Sequence, residues 1–149
     1  MKKVQLAVLC AAIVMVAACG SSSSNTVNGN WSATLVNPDS TTAFTLTMTM
    51  SQGSAGAVTI TNLSFGTSSS CFALGTTATG TFASSGTTNG VTTGSFQISI
   101  QSSTSNSNGA NQLIMQGALS NNNTVTGSWT LTGTGTGCSG SGTFTMTKM

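Results

Sequence analysis

Apolar and polar residues alternate strictly along much of the chain. The alternation runs through residues 44–50, 95–100 and 143–147, where Phe, Leu, Ile or Met occupies every second position and Thr, Ser or Gln the positions between. A period of two with β-branched Thr on the polar side predicts β-strands that bury one face. No stretch after residue 30 has a helical period, so the sequence predicts an all-β domain.

The alternating stretches and the turn-rich stretches between them predict eight strands. Turns are indicated by Asn37-Pro38-Asp39-Ser40, Thr88-Asn89-Gly90 and Asn121-Asn122-Asn123. The parity of the apolar positions changes between Ile60 and Leu63, which predicts a β-bulge near Asn62. The predicted strands are residues 30–36, 42–52, 57–65, 76–84, 93–102, 111–119, 124–133 and 140–148.

The short links between these strands favour antiparallel pairing of consecutive strands. Eight such strands with one apolar face predict an up-and-down barrel, the closed arrangement that leaves no free strand edge. A two-sheet β-sandwich is the alternative, because it also buries one face of each strand.

Residues 1–18 have the organisation of a signal peptide. Met1-Lys2-Lys3 precedes an apolar run over residues 4–16, which is shorter than the about 20 residues needed to span a bilayer. The next segment, Val16-Ala17-Ala18-Cys19, resembles the lipobox of bacterial lipoproteins. The resemblance implies cleavage before Cys19 and attachment of lipid to that cysteine. An ordinary cleaved signal peptide is the alternative.

The lipobox resemblance also implies an address in the cell envelope. Cys19 is followed by Gly20 and four serines and not by Asp, so delivery to the outer membrane is expected. Residues 19–28 are predicted to be the lipidated cysteine and a flexible tether. Residues 29–149 are predicted to form a single β domain. The expected membrane contact is the lipid on Cys19.

Two cysteines, Cys71 and Cys138, remain in the predicted β domain. In an exported and oxidising compartment, two such cysteines predict one disulfide. They follow the third and seventh predicted strands, and in an up-and-down barrel those two loops lie at the same end. A pair of thiolates holding a soft metal is the alternative, but the chain has neither CxxC spacing nor histidine.

The chain is nearly free of charge. It has three Lys or Arg residues, one Asp or Glu, no His and no Tyr. General acid–base catalysis and most metal sites are built from these residue types, and nucleic-acid binding requires many basic side chains. We therefore expect no enzyme activity, no metal site, no cofactor and no nucleic-acid partner.

Two short motifs give a resemblance for the mature domain. Gly29-Asn30-Trp31 opens the first predicted strand, and Gly127-Ser128-Trp129 repeats the pattern in the seventh. A Gly-x-Trp at the start of the first strand resembles the calycin barrels (lipocalins and avidins), which implies a barrel shape. The candidate ligand-binding residues are the inward Trp31, Phe96 and Trp129, with Phe72 and Leu74 beside Cys71 at the predicted barrel mouth.

Three functions fit these features. The first is a lipid-anchored module that binds a small apolar or amphipathic ligand inside the barrel. The second is a structural or surface-interaction lipoprotein with a filled interior, whose Thr/Ser/Asn surface meets glycans or neighbouring copies. The third is a transmembrane barrel with inverted alternation, which the lipobox and the low aromatic content disfavour.

Overall fold

The computed structural model describes residues 27–66, 70–72, 75–102 and 110–149. These residues form a closed barrel in which each antiparallel strand pairs with the next and the last pairs with the first. The predicted up-and-down barrel is confirmed, and the sandwich alternative is wrong. The strands are β1 (Gly29–Val36), β2 (Thr42–Gln52), β3 (Ala57–Phe65), β4 (Thr77–Thr88), β5 (Val91–Gln101), β6 (Gln112–Asn121), β7 (Thr124–Thr132) and β8 (Gly140–Lys148).

The predicted strand bounds agree closely with these, except at the hairpin between β4 and β5. There pairing continues to Thr88 opposite Val91, so both strands are longer than predicted. Asn89 and Gly90 form the whole turn, with φ of 52° and 77°. An Asn-Gly pair with two positive φ angles matches the twist of the flanking strands and lets them pair up to the turn.

The predicted bulge near Asn62 is confirmed. Asn62 and Leu63 together lie opposite Met48 of β2, and the register shifts at this point. Asn62 has a φ of 51°, a conformation that Asn adopts more readily than most residues. The extra residue turns Leu63 and Phe65 towards the core, against which both are packed.

The apolar member of each alternating pair is the buried one, so the interior is apolar. Buried inward residues come from all eight strands. The largest side chains that are less than 2 % exposed are Trp31, Leu35, Leu46, Met48, Met50, Ile98, Ile100, Leu113, Met115, Leu119 and Met146.

Several inward positions are glycines that lie against aromatic rings. A Cβ on Gly94 would lie 2.6 Å from Phe82 Cε2, and one on Gly142 would lie 2.8 Å from Trp129 Nε1. A Cβ on Gly117 would likewise lie 3.0 Å from the Cζ atom of Phe144. Small and large side chains therefore interdigitate, which is how a barrel of eight strands is filled.

The strand pairing is weakest between β3 and β4. These strands pair from Ala57 opposite Thr81 to Thr59 opposite Thr79. In contrast, β4 and β5 are paired along the full length of both strands. The residues of β3 beyond Thr59 thus keep β2 as their ladder partner but not β4.

The two ends of the barrel differ. The turns β2–β3, β4–β5 and β6–β7 lie at one end, with the start of β1 and the end of β8; we call this the hairpin end. The loops β1–β2, β3–β4, β5–β6 and β7–β8 lie at the other end, which we call the disulfide end.

The folded body begins before β1. Val27 is fully buried, and its carbonyl oxygen accepts a 2.9 Å hydrogen bond from Trp31 Nε1. The Gln52 amide donates to Asn28 Oδ1 at 2.6 Å. Val27 and Asn28, the last two residues of the predicted tether 19–28, thus contact the barrel. The predicted signal peptide and the lipidation site Cys19 lie outside the described residues.

Candidate functional site at the disulfide end

A disulfide and a buried asparagine connect the loops at this end. Cys71, in a short 3₁₀ turn between β3 and β4, is bonded to Cys138 in the β7–β8 loop, with 5.6 Å between their Cα atoms. The predicted disulfide is present. Asn111 is 1 % exposed, and its side-chain Nδ2 donates to the Cys71 carbonyl oxygen at 2.8 Å. Its backbone N–H donates to Ser102 Oγ at 2.8 Å. Three of the four loops are thus held together.

Gly133 at the end of β7 completes this packing. A Cβ at Gly133 would collide with Asn111 Oδ1 and would lie 2.7 Å from the Cys138 carbonyl oxygen. Only a residue without a side chain fits between the asparagine and the disulfide loop.

Four aromatic rings cross the mouth of the barrel. Phe72 stacks on Phe65 with ring centroids 4.9 Å apart, and Phe65 meets the edge of Phe44 at 6.4 Å. Phe44 in turn meets Trp129 edge to face at 5.9 Å. Both geometries are the favourable ones for aromatic pairs. We call Phe72, Phe65, Phe44 and Trp129 the aromatic row; its outer members are buried and its two middle members are partly exposed.

A groove of about 350 Å³ opens beside the Trp129 end of this row. The indole Nε1 of Trp129 donates to the Val36 carbonyl oxygen at 3.1 Å, which fixes the ring against β1. The partly exposed ring of Phe44 contributes an apolar surface to the groove. The lining residues are Asn37, Thr42, Ala43, Phe44, Trp129, Leu131, Gly137 and Ser139.

None of these lining residues is charged, so the groove offers neutral hydrogen-bonding groups beside the partly exposed ring of Phe44. The nearest acidic residue in the sequence, Asp39, belongs to the β1–β2 loop. Its carboxylate accepts hydrogen bonds from the Thr41 hydroxyl at 2.6 Å and the Thr41 amide at 3.0 Å. These bonds favour the charged form and lower the pKa of Asp39. They also hold the loop that forms one wall of the groove.

The candidate ligand-binding residues lie in three different places. Phe72 and Trp129 belong to the aromatic row. Phe96 is buried half-way down the barrel, opposite Phe82 and Gly117. Trp31 is buried at the hairpin end, with Lys148 Nζ 6.0 Å from the centre of its ring. Leu74 lies outside the described residues.

Three residues of this end were not among the site residues predicted from the sequence. Phe65 reaches the mouth only because the bulge changes its parity, and that parity change was visible in the sequence. Phe44 was recognised as inward but not as a neighbour of Trp129, since 85 positions separate them. Asn111 carried no sequence signal, because a single Asn beside a loop is typical of an exposed turn residue.

The outer face of β4–β6 has shallow, uncharged grooves. The larger, about 280 Å³, is lined by Thr81, Ala83, Ser95, Phe96, Gln97, Gln116 and Gly117. Here Gln112 Nε2 donates to Ser99 Oγ at 3.2 Å, so polar side chains on this face pair with one another across strands.

Within the described residues, no group of three or more His, Cys, Asp or Glu side chains is arranged to hold a metal ion. In that same part of the chain, no helix has the length and apolar character needed to cross a membrane. Comparisons with protein families, with characterised proteins and with solved structures find no match to this chain.

Proposed function

We propose that the protein is a non-catalytic, lipid-anchored protein of the cell envelope that acts through its surface. Its barrel serves as a rigid body with a filled interior. The anchor is the lipid on Cys19, for which the lipobox-like segment Val16-Ala17-Ala18-Cys19 is the support. The expected location is the outer membrane.

Of the three functions that fit the sequence, the packing of the interior bears on the first two, a module that binds a ligand inside the barrel and a surface-interaction protein with a filled interior. A small ligand inside the barrel needs space between inward side chains. The largest of those side chains are less than 2 % exposed, and glycines lie against the rings of Phe82, Phe144 and Trp129. This packing favours an interaction protein over a carrier of an apolar molecule, because close-packed native interiors leave little room for a ligand.

The groove at the disulfide end is the proposed contact site. Its volume of about 350 Å³ lies in the range of small-ligand sites. Neutral polar groups such as the Asn37 amide and the Ser139 hydroxyl surround the Phe44 ring. This combination suits an uncharged sugar, which presents hydroxyl groups at its edges and C–H groups on its faces. We therefore propose a surface glycan as the partner.

The absence of catalysis is part of the proposal. In the part of the chain that the structure describes, Asp39 and Lys148 are the charged side chains, and they lie at opposite ends of the barrel. A serine nucleophile needs an adjacent base, and neither Asp39 nor Lys148 is among the residues that line the groove.

The anchor is tested by mass spectrometry of the N-terminal peptide after expression in a bacterial host. We expect a lipid-modified Cys19 at the new N-terminus and partition into detergent. The Cys19→Ser variant should remain in the aqueous phase. An unmodified peptide beginning at Cys19 would contradict the anchor.

The contact site is tested by screening the mature protein against neutral and charged oligosaccharides and fatty acids. We expect retention of neutral glycans, weakened at least tenfold by Phe44→Ala. Gln97→Ala, which changes the outer groove on β4–β6, is the matched control and should bind like the wild type. Loss of binding in Gln97→Ala alone would move the site to the outer face. A co-purified fatty acid seen by native mass spectrometry would instead support the ligand-carrier function.

A further inference from the structure

The large apolar side chains that are exposed in the described residues are both at the hairpin end. They are Val91, 40 % exposed at the tip of the β4–β5 hairpin, and Met149, 70 % exposed after β8. Scattered exposed apolar residues are ordinary on protein surfaces. Val91 and Met149, however, lie at the same end of the barrel as the start of β1, through which the barrel is connected to the predicted anchor.

Hydrogen bonds connect these two residues into one surface. Asn122, in the β6–β7 turn, donates from Nδ2 to the Gly90 carbonyl oxygen at 2.8 Å, and its Oδ1 accepts from the Thr92 amide at 2.9 Å. The turn therefore holds both residues that flank Val91 in the sequence. The backbone carbonyl oxygen of the next residue, Asn123, accepts a hydrogen bond from the backbone N–H of Lys148 at 2.9 Å.

The same surface continues to the beginning of the barrel. The Met149 amide donates to the Asn30 carbonyl oxygen at 2.9 Å. Asn30 is the second residue of β1 and lies three positions after Val27, where the described residues begin. Val91, the β6–β7 turn, Met149 and the start of β1 thus form one continuous rim, which we call the hairpin rim.

The distance to the anchor places this rim near the lipid. Cys19 precedes Val27 by eight positions. At about 3.5 Å per residue, those positions span at most about 28 Å when fully extended. A short connection that enters at the hairpin end brings the hairpin rim towards the bilayer and directs the disulfide end away from it.

The charge distribution agrees with this orientation. Asp39 is the single acidic residue of the sequence and lies at the disulfide end. Lys148 lies at the hairpin end. The side chains of this rim include a lysine and no acidic group, so the single acidic side chain, Asp39, does not oppose the approach of an anionic phospholipid surface.

We infer that the hairpin rim docks on the phospholipid surface that holds the anchor, with Val91 and Met149 in contact with the headgroup region. This inference rests on the proposed lipid at Cys19. Buried apolar area and attraction to anionic lipid are the two terms that hold a protein surface at a membrane interface. The docked orientation leaves the groove beside Trp129 facing outward, where a glycan partner can reach it.

The two tryptophans provide the test, because Trp31 lies at the hairpin end and Trp129 at the disulfide end. The lipidated full chain is reconstituted in vesicles of phosphatidylethanolamine and phosphatidylglycerol that contain a dansyl-labelled lipid. Trp129→Phe leaves Trp31 as the energy donor, and Trp31→Phe leaves Trp129. We expect energy transfer to the dansyl groups to be at least twofold stronger from Trp31.

The rim side chains are tested in the Trp129→Phe background. Val91→Thr with Met149→Ser should lower the transfer from Trp31, while the matched control Ala110→Ser at the disulfide end should leave it unchanged. Hydrogen exchange gives a measurement that needs no tryptophan variant. The amides of residues 89–92, 122–123 and 148–149 should be protected when vesicles carry the lipidated chain, relative to the same chain in detergent.

The outcomes separate the docking from the anchor. A lipidated chain that gives equal transfer from both tryptophans, or no vesicle-dependent protection of the rim, would overturn the docking and leave the anchor in place. A chain without lipid on Cys19 would overturn the anchor and the docking with it. Transfer that is stronger from Trp129 would mean that the barrel has the opposite orientation.

Discussion

The hairpin end and the disulfide end solve the same problem, the reversal of the chain between antiparallel strands, by different means. At the hairpin end, Asn89 and Gly90 turn the chain within two residues through their own backbone conformation. At the disulfide end, the loops are held by groups that are far apart in sequence, such as Cys71 and Cys138, with a separation of 67. The β4–β5 turn therefore forms through local residue chemistry, while three of the four loops at the disulfide end depend on bonds between distant residues that exist only once the barrel has closed.

This difference predicts a ranking of mutational effects, and the disulfide comes first. Replacement of Cys71 and Cys138 by Ser should lower the free energy of unfolding by about 4 kcal/mol, because the unfolded chain is then free of a long closed loop. Urea unfolding of the double variant, and of the wild type with and without reductant, measures it. A loss below about 1 kcal/mol would mean that the tertiary contacts hold the disulfide end without the covalent bond.

Asn111 should come second. Asn111→Ala removes the hydrogen bond to the Cys71 carbonyl oxygen and leaves that buried acceptor without its donor. We expect a loss of about 2 kcal/mol. The control is Asn122→Ala, which removes two hydrogen bonds from an exposed turn at the hairpin end. Equal losses in the two variants would contradict the contrast between the ends.

The turn of the β4–β5 hairpin should be less sensitive. Gly90 has a φ of 77°, and no other atom lies within 4 Å of the position that a Cβ would take. Gly90→Ala therefore costs only the backbone strain, about 1 kcal/mol. At the disulfide end, Gly133→Ala collides with Asn111 and should cost more, about 2 kcal/mol or above. Thermal unfolding of both variants compares them directly.

Protonation should have the smallest effect. The pKa of Asp39 is lowered from its ordinary value of 3.8 by the hydrogen bonds of Thr41, so its ionised form stabilises the β1–β2 loop. This contribution is present above the ordinary pKa and is lost as the pH falls through the lowered value. The free energy of unfolding should therefore be flat from about pH 8 to about pH 5.

The carboxyl resonance of Asp39, followed by NMR, should titrate below the value measured in an unfolded peptide. Asp39→Asn should remove the decrease in the free energy of unfolding that this carboxyl group causes at acid pH. A large loss of stability between about pH 7 and pH 5 would contradict the prediction, because the chain has no histidine to account for it.

The same contrast explains what the sequence could reveal. The alternation in β2, the parity change at Asn62 and the Asn-Gly turn are signals within a few residues, so the strands, the bulge and the barrel were predictable. The ends of β4 and β5 were misplaced because their Ser, Gly and Thr residues are typical of loops. The disulfide was predictable because two cysteines, Cys71 and Cys138, remain in the β domain of a chain expected to be exported, and the strand order places both at one end.

The candidate site was less predictable than the fold. The contact of Phe44 with Trp129 joins β2 to β7 across the mouth, and the role of Asn111 depends on the carbonyl of Cys71, 40 positions away. Neither proximity follows from spacing along the chain. Trp31 and Trp129 share a motif, yet closure of the barrel places them at opposite ends.

The pairing of β1 with β8 has a consequence for the rate of folding. Trp31 lies opposite Lys148 in that ladder, so the barrel closes only when the two extremes of the domain meet. Contacts of such long sequence separation slow folding, because the entropy of the intervening chain is lost before they form. The β4–β5, β5–β6 and β6–β7 hairpins can assemble early from neighbouring strands. We expect the transition state to contain this central meander, with β1 and β8 joining last, so that substitutions in β8 accelerate unfolding and leave the folding rate nearly unchanged.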